Sequence, residues 1–301
     1  MSRLFHPWKP RAAAFRQAAP FKKCYDTTIR EFCKESTKNS QPIRRLAGMK
    51  SANLKTVQDG TLHHVALIPD GNGRWATAHK LSTNEGHVRG AESVEAFLNV
   101  CKRYKVAVAT VWAFSTENWR REEEEVQGIM YLVQRVLESK RSRFKKNGVR
   151  VKIIGRRDRI QERFPSVAKF LAEIETETKS YGPLTFNLAL DYGGRDEIVR
   201  AIRKLVSKGV KETEVTWETI CSALDTEGLP DPDLIIRTSG EQRLSGLMPL
   251  QSEYAELHFI PALLPDVTEA VYERAFVEFA KRQRRFGGRV EAAGSRNVKP
   301  K

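Results

Sequence analysis

From His63 onward, short apolar runs alternate with longer stretches of mixed polarity. The apolar runs cover residues 64–68, 106–114, 149–154, 184–190, 233–236 and 255–260. Most are nearly continuous rather than alternating, as expected for strands buried on both faces. The stretches 85–103, 122–145, 163–179, 196–206 and 217–224 carry apolar residues at helical spacing, and 269–285 closes the series. Strand following helix in this order predicts an α/β fold: one domain over 61–288, with a mostly parallel six-stranded sheet flanked by helices. Residues 1–60 then form an N-terminal extension and 289–301 a basic C-terminal tail.

In such sheets ligands bind beyond the carboxyl ends of the strands. Polar residues that directly follow an apolar run are therefore the candidates. The first run ends in Asp70-Gly71-Asn72-Gly73-Arg74-Trp75. Glycines allow close approach of the backbone, free amides at a helix start attract phosphate, and Arg74 adds a fixed charge. Asp70 would repel a bare phosphate, which suggests a bridging Mg²⁺. An ordinary strand-to-helix turn with a capping aspartate is the alternative. The spacing is not that of a Walker loop.

The second run leads into Ser115-Thr116-Glu117-Asn118-Trp119-Arg120-Arg121, which offers hydrogen bonding, an aromatic surface and charge, or simply a capped helix start. The paired glycines of Leu190-Asp191-Tyr192-Gly193-Gly194-Arg195 read as close packing more than phosphate binding. After the fifth run, Arg237 and Arg243 with Ser245 can form a fork for a diphosphate. Glu256 interrupts an apolar strand, and a carboxylate there needs a partner: a metal shared with Asp70, or an arginine.

Charge sharpens this picture. The chain has 52 Lys/Arg against 37 acids among 301 residues, a formal +15. Residues 1–60 hold 13 of those cations and four acids, so the body is only mildly basic, suiting anionic substrates. Neither a nucleic-acid recognition motif nor a zinc spacing of cysteines occurs, and no nucleic-acid partner is expected. The first 25 residues carry six Lys/Arg and no acid, the wording of an organellar transit peptide; a basic tail is the alternative.

Five motifs in order, HVALIPDGNGRWA, WAFSTENWRR, LDYGGRDEIV, DLIIRTSGEQRLS with YAELHF, and RQRRFGG, resemble the cis-prenyltransferase family over roughly 63–288. The resemblance implies condensation of isopentenyl diphosphate with an allylic prenyl diphosphate, Mg²⁺ as cofactor, an apolar tunnel for the growing chain and a homodimer. It implies catalytic roles for Asp70, Asn72, Arg74 and Asn118. Gly71, Gly73, Trp75 and His87 would lie at the allylic diphosphate, with Ser115, Glu117, Trp119 and Arg121 ordering the active site. Arg237, Arg243 and Ser245 would hold isopentenyl diphosphate, and Asp70 and Glu256 would bind the metal. The product implies peripheral membrane contact. The wording is most similar to plant and algal plastid members, so a plastid location is expected, with the mitochondrion or the cytoplasm and endoplasmic reticulum surface as alternatives. A non-catalytic subunit of a two-component enzyme is the competing reading; such subunits lose the early aspartate and arginines, which this chain keeps.

Overall fold

The computed structural model describes residues 62–284. Six strands form one sheet: β1 (His64–Ile68), β2 (Val108–Ser115), β3 (Val149–Ile154), β4 (Leu184–Tyr192), β5 (Leu234–Arg237) and β6 (Glu256–Phe259). Their spatial order is β3-β4-β2-β1-β5-β6, and every pairing is parallel. The expected α/β class is therefore observed. All the described strands of the sheet point the same way, so all their carboxyl ends lie along one edge.

The helices are α1 (Asn72–Ala78), α2 (Thr83–Arg103), α3 (Glu123–Asn147), α4 (Arg157–Arg163), α5 (Pro165–Thr178), α6 (Gly194–Ser207), α7 (Trp217–Cys221) and α8 (Glu269–Ala280). Several differ from expectation, and α7 stops at Cys221 short of the expected 224. The short helices α1 and α4 have seven residues each, too few for a periodic pattern to register. The stretch at 163–179 also begins later than expected. Phe164 leaves helical geometry and Pro165 opens α5, where its missing N–H costs nothing.

The two faces of the sheet are covered unequally. Val65, Leu67, Ala109, Val111, Val151, Leu188 and Ile236 point to one side, where α2, α3, α5 and α8 supply Phe97, Met130, Leu171 and Phe276. The other side meets a thinner layer: Ala66, Ile68, Trp112, Ala189 and Ile235 pack on Leu247 and Met248. Helix α6 joins its own small cluster with Leu224. That thin side tolerates polar groups inside the sheet. His64 Nδ1 donates to Pro230 O at 2.7 Å, and Nε2 accepts from Thr110 Oγ1 at 2.7 Å, which in turn accepts from Asn187 Nδ2 at 2.9 Å. Among the described residues no helix is long and apolar enough to cross a membrane.

Helix α2 starts with a complete capping box between Ser82 and Glu85. Its Gly86 and Gly90 face α1. A Cβ on Gly86 would lie 2.4 Å from the Asn72 carbonyl oxygen, and one on Gly90 would lie 2.2 Å from Asn72 Oδ1. Two glycines one turn apart thus let α1 sit directly on α2 and fix the loop that follows β1.

Candidate active site

Asp70 lies two residues beyond β1, beside the end of β5. Its backbone N–H donates to Thr238 Oγ1 at 2.8 Å, and that hydroxyl donates to Asp70 O at 2.6 Å. The carboxylate meets two arginines. Arg237 Nη2 is 2.8 Å from Oδ2, and Arg74 Nη2 is 3.5 Å from Oδ1. Partial burial alone would push the Asp70 carboxyl up, but hydrogen bonds from Arg237 and Ser239 and the two guanidinium charges prevail and hold it below its usual range.

Arg237 is 5% exposed and emerges from the end of β5. Its second nitrogen, Nη1, donates to the Arg243 carbonyl at 2.5 Å and to Ser245 Oγ at 2.8 Å. Arg74 Nη2 also donates to Ser239 Oγ at 2.6 Å. Glu241 lies between the two exposed arginines, 3.4 Å from Arg74 and 2.5 Å from Arg243. The loop that makes these contacts is strained: Ser239 and Ser245 have φ of 76° and 53°, in the left-handed region where a non-glycine residue costs about 1–3 kcal/mol. Gly71 has φ 108° and starts α1 with no side-chain cap, so the first-turn amides stay available beside Asp70.

A neighbouring chain of contacts links three helices. Asn72 Nδ2 lies 3.1 Å from His87 Nδ1, His87 Nε2 lies 3.1 Å from Glu125 Oε1, and Arg121 Nη1 lies 2.7 Å from the same oxygen. Around the Asp70 carboxylate the arrangement presents Arg74, Arg237 and Arg243, the hydroxyls of Ser239 and Ser245, and free amides, with Glu241 between the two exposed arginines. It can hold more than one phosphate group and stabilise negative charge on a departing one.

A family model described as "Putative undecaprenyl diphosphate synthase" matches residues 68–287. The chain belongs to the cis-prenyltransferase family. It is 43% identical to an isoprenyl transferase of Aquifex pyrophilus over 224 residues, 74% of this chain and 95% of the relative. An isoprenyl transferase 2 of Bradyrhizobium diazoefficiens is 41% identical and covers 77% and 92%. Two solved structures share the fold. Lavandulyl diphosphate synthase from Lavandula x intermedia, in complex with dimethylallyl diphosphate, has a TM-score of 0.70 at 30% identity, covering 75% of this chain and 98% of its own. A "probable undecaprenyl diphosphate synthase" from Campylobacter jejuni has a TM-score of 0.63 at 31% identity, covering 76% and 99%. These matches carry the family and give no support to the plastid wording.

For a cis-prenyltransferase, the residues expected at the site divide into three groups. Asp70, Gly71, Asn72, Arg74, Arg237, Arg243 and Ser245 come together as described, and Gly73 lies in the first turn of α1 between Asn72 and Arg74. His87 and Arg121 join them through Asn72 and Glu125. Ser115, Glu117, Asn118, Trp119 and Trp75 do not touch Asp70. Asn118 Oδ1 accepts the Ser115 backbone N–H at 2.9 Å, so it caps the turn 116–120. Glu117 is bonded to Thr116. Trp119 packs on Phe164 with Arg163 4.6 Å over its ring. Trp75 Nε1 donates to Asp266 at 2.8 Å and its ring stacks on His79. Gly193 packs against Thr116, as the packing reading of the paired glycines requires.

Glu256 lies apart from this cluster within the chain. Strand register sets it level with Leu234, which is level with Val65. Asp70 lies beyond Ile68, so the two carboxylates are separated by roughly 10 Å or more along the strands. Glu256 instead pairs with Arg282 at 2.7 Å. Within one chain the register therefore does not bring Glu256 beside Asp70.

Four contributors escaped the sequence reading: Thr238, Ser239, Glu241 and Glu125. The first three lie inside the Arg-Thr-Ser-Gly-Glu-Gln-Arg run and were readable there as loop residues flanked by two arginines. Glu125 had no such signal, standing in a run of four acids at the start of α3. Among the described residues no group of three or more His, Cys, Asp or Glu could hold a metal by itself. The donor set still suits Mg²⁺, which is commonly bound by one carboxylate together with substrate phosphates. Asp70 is the carboxylate present, and it is held ionised. The transit-peptide reading concerns residues outside those described.

Proposed function

We propose that this protein condenses isopentenyl diphosphate with an allylic prenyl diphosphate to give a Z-prenyl diphosphate. The observation that supports this most is the Asp70–Arg237–Ser245 chain, which joins the cradle after β1 to the arginine loop after β5. One diphosphate would lie on the amides of the first turn of α1 and Arg74. The other would lie on Arg243 and Ser245. The dimethylallyl diphosphate in the lavandulyl diphosphate synthase structure supports an allylic diphosphate for the first site.

In this reading the bond from the allylic carbon to its diphosphate oxygen breaks, and the diphosphate leaves with the electron pair. Arg74 and the first-turn amides receive the charge that develops on it. The double bond of isopentenyl diphosphate, held by Arg243 and Ser245, attacks the freed carbon. Loss of a proton from the former isopentenyl unit completes the new double bond. Asp70 and the substrate diphosphate are the available proton acceptors. Asp70, together with the diphosphates, would hold Mg²⁺, whose charge would further neutralise the phosphates.

The growing chain would run between the sheet and helices α2 and α3, whose inward residues are apolar. Val199, Ile202 and Val206 leave an apolar stripe exposed on α6, which supports a homodimer. Product release at a membrane surface and a plastid location complete the proposal. Purified protein incubated with Mg²⁺, labelled isopentenyl diphosphate and starters of different length tests it: sized polyprenyl products are expected, and no incorporation with any starter would refute it. Light scattering of the same sample reads the dimer. Fluorescent fusions with and without residues 1–55 read the location.

A further inference from the structure

With His87 neutral, the contact chain Asn72–His87–Glu125–Arg121 has one consistent assignment of protons. Glu125 is an acceptor only. The hydrogen bond from His87 depresses its carboxyl, and this, with the Arg121 charge, outweighs the effect of partial burial. Facing this carboxylate, a neutral His87 must carry its proton on Nε2. Its Nδ1 then has a lone pair, and the partner 3.1 Å away must donate, which turns the Asn72 amide nitrogen toward the ring. The amide oxygen of Asn72 is left buried against Gly90 with no hydrogen-bond partner. The reverse amide orientation would set a carbonyl against a lone pair. An unpartnered buried oxygen is accepted only because the other end of the amide is dictated.

We infer that Glu125 is a positioning residue that fixes His87 as the Nε2–H tautomer and thereby fixes the Asn72 carboxamide, and with it the first turn of α1, in the orientation the diphosphate cradle requires. The control passes from α3 through α2 to α1. The helices are packed closely enough for this to act rigidly: a Cβ on Gly128 of α3 would lie 2.2 Å from Asn84 Oδ1 of α2, and α2 meets α1 at Gly86 and Gly90. Glu125 also holds Arg121 through the same oxygen, so loss of the carboxylate frees two cationic or ionisable partners at once. The inference about α1 rests on the reading of its first turn as the allylic cradle. The tautomer itself does not.

Two variants separate the possibilities. Glu125→Gln keeps a carbonyl oxygen that can accept from Nε2–H and removes the charge. Glu125→Ala removes both. Nitrogen-15 NMR of the imidazole rings reads the tautomer directly, with His64 as an internal control, since its Nδ1 must donate to the Pro230 carbonyl. The expected result is an Nε2–H His87 in the parent and in Glu125→Gln, and a mixture of tautomers in Glu125→Ala, with His64 unchanged in all three. In kinetics with each substrate varied separately, Glu125→Ala should raise the KM for the allylic substrate about tenfold, leave that for isopentenyl diphosphate within twofold, and be largely rescued by glutamine. An unchanged His87 tautomer in Glu125→Ala would overturn the inference, as would equal losses in the alanine and glutamine variants. Absence of any prenyl transfer by the parent protein, with the tautomer pattern as expected, would instead sink the assigned reaction and leave the tautomer assignment standing.

Discussion

Arg237 donates to Asp70 across 2.8 Å, although 167 residues separate them in the chain. The pair closes the junction between β1 and β5, and each partner fixes the other. Arg237 is buried with further bonds to the Arg243 carbonyl and Ser245, so it cannot turn to water if the carboxylate is removed.

Asp70→Ala should therefore have two effects. Turnover should fall roughly 10²–10³-fold, the usual result of losing one electrostatic contact to the reacting groups. Stability should fall by about 1–3 kcal/mol, because a buried guanidinium loses a partner. Thermal denaturation should show Asp70→Ala/Arg237→Met to be more stable than Asp70→Ala and equally inactive. Turnover of Asp70→Ala within threefold of the parent would exclude the site.

Glu241 occupies both exposed arginines. It competes with any anion that Arg74 and Arg243 bind. Glu241→Gln should lower the KM for the diphosphates two- to fivefold at low salt, in keeping with the roughly 0.2–1 kcal/mol of an exposed ion pair. The advantage should shrink as ionic strength rises. Steady-state kinetics at two salt concentrations read both effects, and a higher KM would show that Glu241 binds substrate rather than opposing it.

His64 is buried, and burial pushes its imidazole down to about 4, against opposing contributions from the Pro230 carbonyl and Asp233. The folded protein keeps this ring neutral while the unfolded chain takes up a proton below about 6.5. Stability should thus decline as pH falls from about 6.5 to about 4 and gain no further penalty from this group below that. The full effect is roughly 3 kcal/mol by linkage. Urea midpoints across pH 4–7 should show the slope, and His64→Gln should flatten it.

Gly86→Ala places a methyl 2.4 Å from the Asn72 carbonyl oxygen, a backbone atom that cannot step aside without moving α1. Overpacking of this kind costs about 1–3 kcal/mol. Melting temperature should drop, and the KM for the allylic substrate should rise more than that for isopentenyl diphosphate. Equal, small changes in both would mean that α1 tolerates displacement.

Much of the fold was readable because buried parallel strands leave long apolar runs and their helices leave a stripe. β1, β3 and the body of α2, α3 and α8 fall where the pattern puts them. The arginines of the 237–245 loop were readable too, since they follow a strand that has to be buried. The in-chain distance between Glu256 and Asp70 was not readable, for a specific reason. Sequence says which residues lie in a strand but not how far that strand is shifted against its neighbours, and three residues of register separate β6's start from the edge where Asp70 lies. Glu125 was missed because its partner His87 is 38 residues away on another helix, a relation created only by the packing of α2 on α3.

The sheet order has a consequence for synthesis on the ribosome. When β1 to β4 have emerged, all four can pair as β3-β4-β2-β1, and β1 then carries an open edge. Asp70 and Arg74 are present by then, but Arg237, which closes the junction, is still more than forty residues from the end of β4. The nascent chain therefore holds an unsatisfied strand edge until about four fifths of the described residues, through Arg237, have been made, the interval in which a parallel sheet is most open to wrong pairing. Closure by β5 is thus a late event, and a translation product that ends before it lacks the junction between Asp70 and Arg237.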